Sequence, residues 1–126
     1  MTNVFKNVKE FHKAFNLPIK TELKFPNSKE RILRGDLLEE EMNEYFEAEE
    51  SNDMVEVADA LADIIYICCG TALTYGIPLE KIFEEVHRSN MAKLVDGKVL
   101  YHPSGKVKKP EGWTAPDIQK ILDEVN

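Results

Sequence analysis

The sequence predicts an all-α fold, because apolar residues recur at helical spacing along most of the chain. A stretch of 22 residues, 54–75, is apolar on nearly all sides, which is typical of a helix at the centre of a bundle. Only the break Ser51-Asn52-Asp53 separates it from the helical pattern before it. Because so short a connection makes two helices antiparallel neighbours, we expect a fold of the four-helix-bundle type.

The first two helices follow from spacing and from their end signals. Val4, Val8 and Phe15 belong to an amphipathic pattern that predicts a helix over residues 3–15. A second helix is expected from about residue 28 to about residue 50. Its N-cap is either Asn27, which has capping-box spacing to Glu30, or Ser28.

The third and fourth helices have clearer boundaries. Asp53 is the candidate N-cap of the third helix, over roughly 54–75, and Gly76 would end it. Pro78 would open a fourth helix that extends to about Leu94. Since the third helix has too much apolar surface for so short a chain, we expect a second subunit to cover one side. The fold would then be completed by oligomerisation, in a homodimer or homotetramer.

The last third of the chain has a different character. Turn signals at Asp96-Gly97 and at residues 102–105 flank a short apolar run, which predicts a small hairpin or ordered loop. Lysines make this region locally basic, and a short helix is expected from Pro116 to Val125. We expect one domain over residues 1–126, with a core at about 28–95 and a basic tail at 96–126.

Composition excludes several classes of function. The formal net charge is −7, whereas proteins that bind nucleic acid present basic surfaces, so we expect no nucleic-acid partner. The apolar run from Ile64 to Tyr75 is shorter than the roughly 20 residues that cross a bilayer, so we expect no membrane partner. The two cysteines, Cys68 and Cys69, are neighbours and poor disulfide partners, which indicates buried thiols in a reducing, cytoplasmic compartment.

Acidic residues interrupt the apolar face of the second helix. Residues 37–50 contain seven glutamates and no basic residue. One face of this helix carries Leu33, Leu37, Glu41, Glu44 and Ala48, and Glu40 lies beside it. Two glutamates therefore occupy positions where core residues are expected. We interpret the other glutamates of the run, including Glu47, as solvated.

The third helix carries one acidic line. Its only charged residues are Glu56, Asp59 and Asp63, three and four residues apart. Counted outward from the loop near residue 52, Glu44 and Asp59 lie at the same height, and Glu40 with Asp63 at the next. Carboxylates from both helices would converge on a hard cation such as Mg²⁺. Two alternatives stay open, namely that Glu56 merely completes a capping box and that the acidic residues form a solvated face.

These motifs resemble the all-α nucleoside triphosphate pyrophosphatases of the MazG-like superfamily. The signature of that superfamily is E-E-x-x-E on one helix and E-x-x-D on the next. Here it reads Glu40-Glu41-Met-Asn-Glu44 and Glu56-Val-Ala-Asp59. The segment HRSNMAKL, residues 87–94, resembles branches related to phosphoribosyl-ATP pyrophosphohydrolase. The resemblance covers roughly residues 28–113.

The resemblance implies hydrolysis of a nucleoside triphosphate to the monophosphate and pyrophosphate, with Mg²⁺ as cofactor and Mn²⁺ as a substitute. It assigns five metal ligands: Glu40, Glu41, Glu44, Glu56 and Asp59. It also makes Glu41 and Glu44 the catalytic candidates, one of which would be the general base toward the attacking water. Asp63 lies outside the signature.

Five residues are candidates for binding the substrate: Arg34, Asn90, Lys93, Lys106 and Lys108. Each also has a structural interpretation. Arg34 could pair with the many glutamates, Asn90 could be a satisfied buried amide, and Lys93 suits a helix C-terminus. Trp113 could stack on a base, although a packed aromatic side chain is expected.

Several functions compete with this hypothesis. A carboxylate-bridged di-iron bundle needs two inward Glu-x-x-His motifs, and the chain offers one, Glu84-x-x-His87. A catalytically silent binding or oligomerisation module would not need so many desolvated acids. Within the enzyme hypothesis, canonical dNTPs, a non-canonical nucleotide, dUTP and phosphoribosyl-ATP all stay open as substrates.

Overall fold

A computed structural model describes residues 3–125 of the chain. Over these residues the chain forms five helices and no strand, which confirms the predicted all-α class. The helices are α1 (Val4–Ala14), α2 (Ser28–Glu50), α3 (Met54–Tyr75), α4 (Leu79–Met91) and α5 (Ile118–Val125). They belong to two compact units, one ending at Ile77 and the other beginning at Pro78.

Helices α2 and α3 begin at polar caps that the sequence indicates. Asn27, rather than Ser28, caps α2, and its side chain accepts a hydrogen bond from the backbone N–H of Glu30 at 2.9 Å. Asp53 caps α3 and accepts from the N–H of Glu56 at 3.2 Å. Each cap satisfies one N–H that the first helical turn leaves without an intrahelical partner.

In the first unit, α1 and α2 both pack on α3. Three of the buried residues on these helices are small, namely Ala48 on α2 and Ala60 and Ala72 on α3. Short side chains at these positions let the helix axes approach closely. Phe11 of α1 adds an edge-to-face contact with Tyr66 of α3, with ring centroids 5.6 Å apart.

The connection between α1 and α2 covers the C-terminal end of α3. The backbone N–H of Lys20 donates to the carbonyl of Leu73 at 2.8 Å, and that of Lys24 donates to the carbonyl of Tyr75 at 3.0 Å. These carbonyls belong to the last turn of α3, which has no intrahelical donors left. Gly76 then ends the helix with a φ of 72°.

Much apolar surface of α3 is exposed in the single chain. Met54 is 77% exposed, Val55 76%, Leu61 48% and Ile65 50%. By length and composition alone α3 could cross a membrane, but a single helix of this kind is also what the core helix of a soluble protein looks like. Cys68 is exposed, contrary to the prediction of two buried thiols, because it lies on this uncovered face, whereas Cys69 is buried.

In the second unit, α4 and α5 pack against each other. Helix α4 ends at Met91, earlier than predicted, and α5 begins at Ile118 rather than at Pro116. The region between them, predicted to be a small hairpin or ordered loop, is a loop with two isolated bridges, Val95–Lys98 and Tyr101–Val107. The first bridge closes a tight turn in which Asp96 and Gly97 both have positive φ.

Candidate metal centre and active site

Three carboxylates from α2 and α3 come together in the first unit. Oxygen atoms of Glu41, Glu44 and Asp63 all lie within 4.8 Å of one another. Glu41 and Asp63 are partly buried, and Glu44 is exposed. Glu41 faces α3 because it is two helical turns from the buried Ala48 on the same face of α2. We call these three residues the carboxylate cluster.

Glu41 is the least satisfied member of the carboxylate cluster. Its Oε2 atom is buried and has no hydrogen-bond partner among residues 3–125. Burial raises the pKa of the Glu41 carboxyl to about 7, and its interactions with Glu44, Asp63 and Glu40 act in the same direction. A carboxylate in this position is costly unless a proton or a cation compensates its charge.

Asp63 has the same electrostatic problem. Burial raises the pKa of its carboxyl, and the negative charge of Asp59, one turn earlier on α3, adds to the increase. In residues 3–125 the structure records one ion pair, Arg88 with Glu85, and it lies in the second unit. The structure therefore records no ion pair that would neutralise the carboxylate cluster.

The residues fit a hard divalent cation. The orphaned Glu41 Oε2 supplies a buried anionic oxygen, and the other two carboxylates supply further oxygens at a distance that one ion can bridge. Mg²⁺ binds oxygen ligands of this kind and keeps coordination positions for water and phosphate oxygens. An acidic site with such an ion can attract a triphosphate, which the carboxylates alone would repel.

The other predicted ligands surround the carboxylate cluster. Glu40 and Asp59 are exposed, and their negative charges raise the pKa values of Glu41 and Asp63 respectively. Glu56 lines an open groove of about 320 Å³ with Glu44. Glu47, which the sequence suggests is solvated, is exposed and lines the same groove.

Sequence reasoning left Asp63 outside the ligand set, whereas the structure includes it in the carboxylate cluster. The signal was present, since Asp63 continues the acidic line of α3 four residues after Asp59. The ligand set that the resemblance implies omits Asp63 because this position lies outside the signature E-x-x-D, which ends at Asp59.

Arg34 does not pair with a glutamate. Its Nε donates to Thr71 Oγ1 and its Nη2 donates to the carbonyl of Ile67, both at 3.1 Å. Arg31, one turn earlier on α2, lies over the ring of Phe25, with 4.4 Å between Cζ and the ring centroid. Both arginines are thus engaged within the first unit.

The remaining substrate-binding candidates lie in the second unit. Lys93 Nζ donates to Asn90 Oδ1 at 3.0 Å, so these two candidates bind each other. Lys106 and Lys108 are exposed in the loop between α4 and α5. Trp113 is packed, and its indole N–H donates to the carbonyl of Ser89 at 2.6 Å.

Two comparisons with known proteins bear on this geometry. An uncharacterized protein of Acanthamoeba polyphaga mimivirus is 32% identical over 80 residues, an alignment that covers 60% of this chain and 32% of the viral protein. The chain thus spans about a third of the length of that curated relative.

Residues 8–90 match the family described as phosphoribosyl-ATP pyrophosphohydrolase. The match covers more than half of the chain, includes all of α2 and α3, and therefore contains the whole carboxylate cluster. It confirms the resemblance to the all-α pyrophosphatases and supports a nucleotide pyrophosphohydrolase type of activity. The chain belongs to the phosphoribosyl-ATP pyrophosphohydrolase family, within the MazG-like superfamily of nucleoside triphosphate pyrophosphohydrolases.

Proposed function

We propose that this protein hydrolyses a nucleoside triphosphate, a dNTP or a non-canonical NTP, to the monophosphate and pyrophosphate in a Mg²⁺-dependent reaction. The observation that carries the proposal concerns Glu41, a member of the cluster of three carboxylates, whose Oε2 is buried and has no hydrogen-bond partner within residues 3–125. A carboxylate that served only the fold would have a hydrogen-bond partner, since a buried polar atom without one destabilises the folded state.

In the proposed reaction, a water molecule attacks the α-phosphorus. The bond between that phosphorus and the oxygen that bridges to the β-phosphate breaks, and pyrophosphate leaves with the bond electrons. Glu41 is the preferred base for the proton of the water, because one of its buried carboxylate oxygens has no hydrogen-bond partner within residues 3–125 and can accept that proton. Glu44 is the alternative base. Bound Mg²⁺ would supply the positive charge that stabilises the phosphate oxygens.

Glu41, Glu44 and Asp63 would hold the first metal ion, and Mn²⁺ would substitute for Mg²⁺. Glu40, Glu56 and Asp59 extend the acidic surface on both sides and are candidates for a second ion. Asn90, Lys93, Lys106 and Lys108 stay candidates for contacts with the base, the ribose or the phosphates.

A nucleotide panel tests the activity directly. The purified full chain is incubated with each dNTP, each NTP, dUTP and oxidised nucleotides, with and without Mg²⁺, and pyrophosphate is resolved from orthophosphate. We expect equal amounts of monophosphate and pyrophosphate from at least one substrate, and only with the metal. Release of orthophosphate alone would refute the proposed bond cleavage.

Phosphoribosyl-ATP is the second candidate substrate, because the family that matches residues 8–90 is described by that activity. Adding phosphoribosyl-ATP to the panel separates the two candidates by kcat/KM. Binding of nucleotide with Mg²⁺ but no turnover on any substrate would instead identify a silent binding module.

We also propose that the protein acts as a homodimer or homotetramer. The exposed apolar face of α3, with Leu61 and Ile65 near its middle, supports this, because soluble chains rarely leave so continuous an apolar surface to water. Light scattering after size exclusion should give a multiple of 14.4 kDa. Leu61→Lys with Ile65→Lys should reduce this mass to one chain, whereas Glu50→Lys on the exposed end of α2 should not.

The cytoplasm is the compartment that we propose, since nucleoside triphosphates and a reducing environment are found there. Cell fractionation with a tagged chain tests it. Recovery in the membrane fraction would refute it and give the apolar α3 a different explanation.

A further inference from the structure

Arg34 fastens α2 to α3 through two different acceptors. Its Nε donates to Thr71 Oγ1 and its Nη2 to the carbonyl of Ile67, one turn earlier on α3. The Thr71 hydroxyl in turn donates to the same Ile67 carbonyl at 2.8 Å. The three groups form a closed triangle. The planar guanidinium fixes both the distance and the relative height of the two helices at this point.

Gly70 provides the space for this contact. A Cβ atom at residue 70 would lie 2.6 Å from Nη2 of Arg34 and 2.8 Å from Nε2 of His12. His12 is itself buried and held by its Nδ1–H, which donates to the carbonyl of Pro18 at 2.8 Å. Neither neighbour is loosely held, so any side chain at residue 70 would displace the guanidinium or the imidazole.

This contact is in register with the carboxylate cluster. Arg34 precedes Glu41 by seven residues on α2, and Gly70 follows Asp63 by seven residues on α3. Because α2 and α3 are antiparallel, the contact of Arg34 with Gly70 and the pair of Glu41 and Asp63 are separated by the same two helical turns, about 10.5 Å, on both helices. A shift of α2 against α3 at Arg34 would change the separation of the Glu41 and Asp63 carboxylates by a similar amount.

We propose that the junction of Arg34, Gly70 and Thr71 is a positioning device that sets the register of α2 on α3 and thereby the spacing of the Glu41, Glu44 and Asp63 carboxylates. The inference rests on the proposed function in that the cluster is taken to bind the metal. It assigns Arg34 to the helix interface rather than to the phosphates of a substrate.

The burial of Arg34 supports this assignment. Arg34 is partly buried against α3, and this burial lowers the pKa of its guanidinium. An arginine that binds a phosphate presents two parallel N–H donors to it. In Arg34, Nε and Nη2 already donate to acceptors of α3.

Four variants of the full chain test the junction. Gly70→Ala inserts a methyl group against Arg34, Thr71→Val removes the hydroxyl while it keeps the side-chain shape, and Arg34→Lys removes the fork. Gly35→Ala is the matched control, because it lies beside Arg34 on α2 and a Cβ there has nothing within 4 Å. Melting curves establish which variants fold. If Gly70→Ala does not fold, Thr71→Val, the mildest change, still tests the junction.

Two readouts that need no turnover decide the outcome. Backbone amide shifts of Glu41 and Asp63 in the metal-free chain should move in the three junction variants and stay in place in Gly35→Ala. Titration with Mn²⁺ alone, followed by its EPR signal, should give a dissociation constant raised about 10-fold or more in the junction variants.

Unchanged Glu41 and Asp63 amides in the junction variants would overturn the proposal, as would a loss of affinity in Arg34→Lys that Gly70→Ala and Thr71→Val do not share. That second pattern would indicate a direct role of Arg34 at the ligand. If the wild-type chain bound no Mn²⁺, the proposed metal site would fall, and the amide shifts would still decide the role of the junction.

Discussion

Glu41 in the first unit and Glu85 in the second are two glutamates on helices with opposite surroundings. Glu85 accepts hydrogen bonds from Arg88 at 2.6 and 3.0 Å and from the backbone N–H of Asp117 at 2.7 Å. These partners lower the pKa of its carboxyl to about 2. In the described part of the chain, Glu41 has a buried oxygen with no hydrogen-bond partner, and the pKa of its carboxyl is raised to about 7.

The opposite pKa shifts distinguish a carboxylate that stabilises the fold, Glu85, from one that we propose binds a ligand, Glu41. Glu85 connects the second turn of α4 to the start of α5 by a hydrogen bond. Its negative charge is stabilised by partners within the second unit. Glu41 contributes nothing comparable to its own unit, and its charge opposes the packing of α2 on α3. A group whose charge destabilises the fold without a ligand is a strong candidate for function.

The largest effect is expected from neutralising the destabilised glutamate. Glu41→Gln should lower turnover of the substrate found in the panel by about 10²–10⁴-fold, because it removes the preferred base and one metal ligand. The melting temperature of the metal-free variant should equal or exceed that of the wild type, since repulsion within the carboxylate cluster is relieved. Initial rates and thermal melts measure the two quantities.

The matched control for this change is Glu39→Gln, an exposed glutamate two residues earlier. It should retain wild-type turnover and wild-type metal dependence. Full activity in Glu41→Gln would contradict the assignment of the active site, and so would full activity in Asp59→Asn.

The pH dependence of metal binding is the next expected effect. The pKa of Glu41 is above its unfolded value, so the folded chain binds an extra proton between about pH 4.5 and about pH 7. The free energy of unfolding of the metal-free chain should therefore decrease as the pH rises through that window. Because the proton competes with the metal, Mg²⁺ should raise the melting temperature more at pH 8 than at pH 6. Equal shifts at both values would contradict the raised pKa.

Glu85→Gln should have the reverse behaviour. The pKa of Glu85 is below its unfolded value, so its stabilising contribution is present above about pH 4.5 and disappears as the pH falls toward 2. The variant should melt at a lower temperature than the wild type at pH 7. The difference should shrink in acid, and it should be insensitive to Mg²⁺. A Mg²⁺-dependent difference would show that the two glutamates are not as distinct as their surroundings indicate.

The smallest expected effect concerns Trp113. Trp113→Phe removes the indole N–H that donates to the Ser89 carbonyl, at a cost of about 1 kcal/mol in the free energy of unfolding. Denaturant melts measure it against Tyr101→Phe, a control at an exposed aromatic side chain. Affinity for Mn²⁺ should be the same in both variants. A selective loss of affinity in Trp113→Phe would connect the second unit to the metal.

The helical class, the starts of α2 and α3 and the end of α3 could be predicted from the sequence, because they depend on neighbouring residues. Asn27 and Asp53 each lie three residues before the N–H that they cap, and Gly76 is directly at the end of α3. The structure records the same caps, since a capping hydrogen bond spans a single turn and needs no knowledge of the packing.

The partners across helices were harder to predict. Counting residues from the loop pairs Glu44 with Asp59 and places Asp63 with Glu40 at the next level, and Glu41 and Asp63 are equally far from residue 52. The structure brings Asp63 together with Glu41 and Glu44. The count gives heights along the helix axes, but it does not give which side chains turn toward the facing helix. It therefore could not separate these three residues from Glu40, Glu56 and Asp59.

Contacts between distant segments could not be read from spacing at all. The bonds of Arg34 to Ile67 and Thr71 depend on the register of two helices, and the bond of Trp113 to Ser89 depends on the path of the loop between α4 and α5. Nothing in the local sequence around either residue specifies these acceptors. The burial of Ser89 and the packing of Trp113 are visible only in the folded structure.

Gly76 has a consequence for the tolerance of the chain to mutation. Its left-handed backbone already disfavours other residues, and a Cβ atom there would collide with the backbone carbonyl of Glu22. Backbone cannot rotate aside as a side chain can, so even asparagine, which often replaces glycine at helix ends, has no room. In a saturation library we expect glycine alone to survive at this position, whereas the exposed Gly35 should accept most residues.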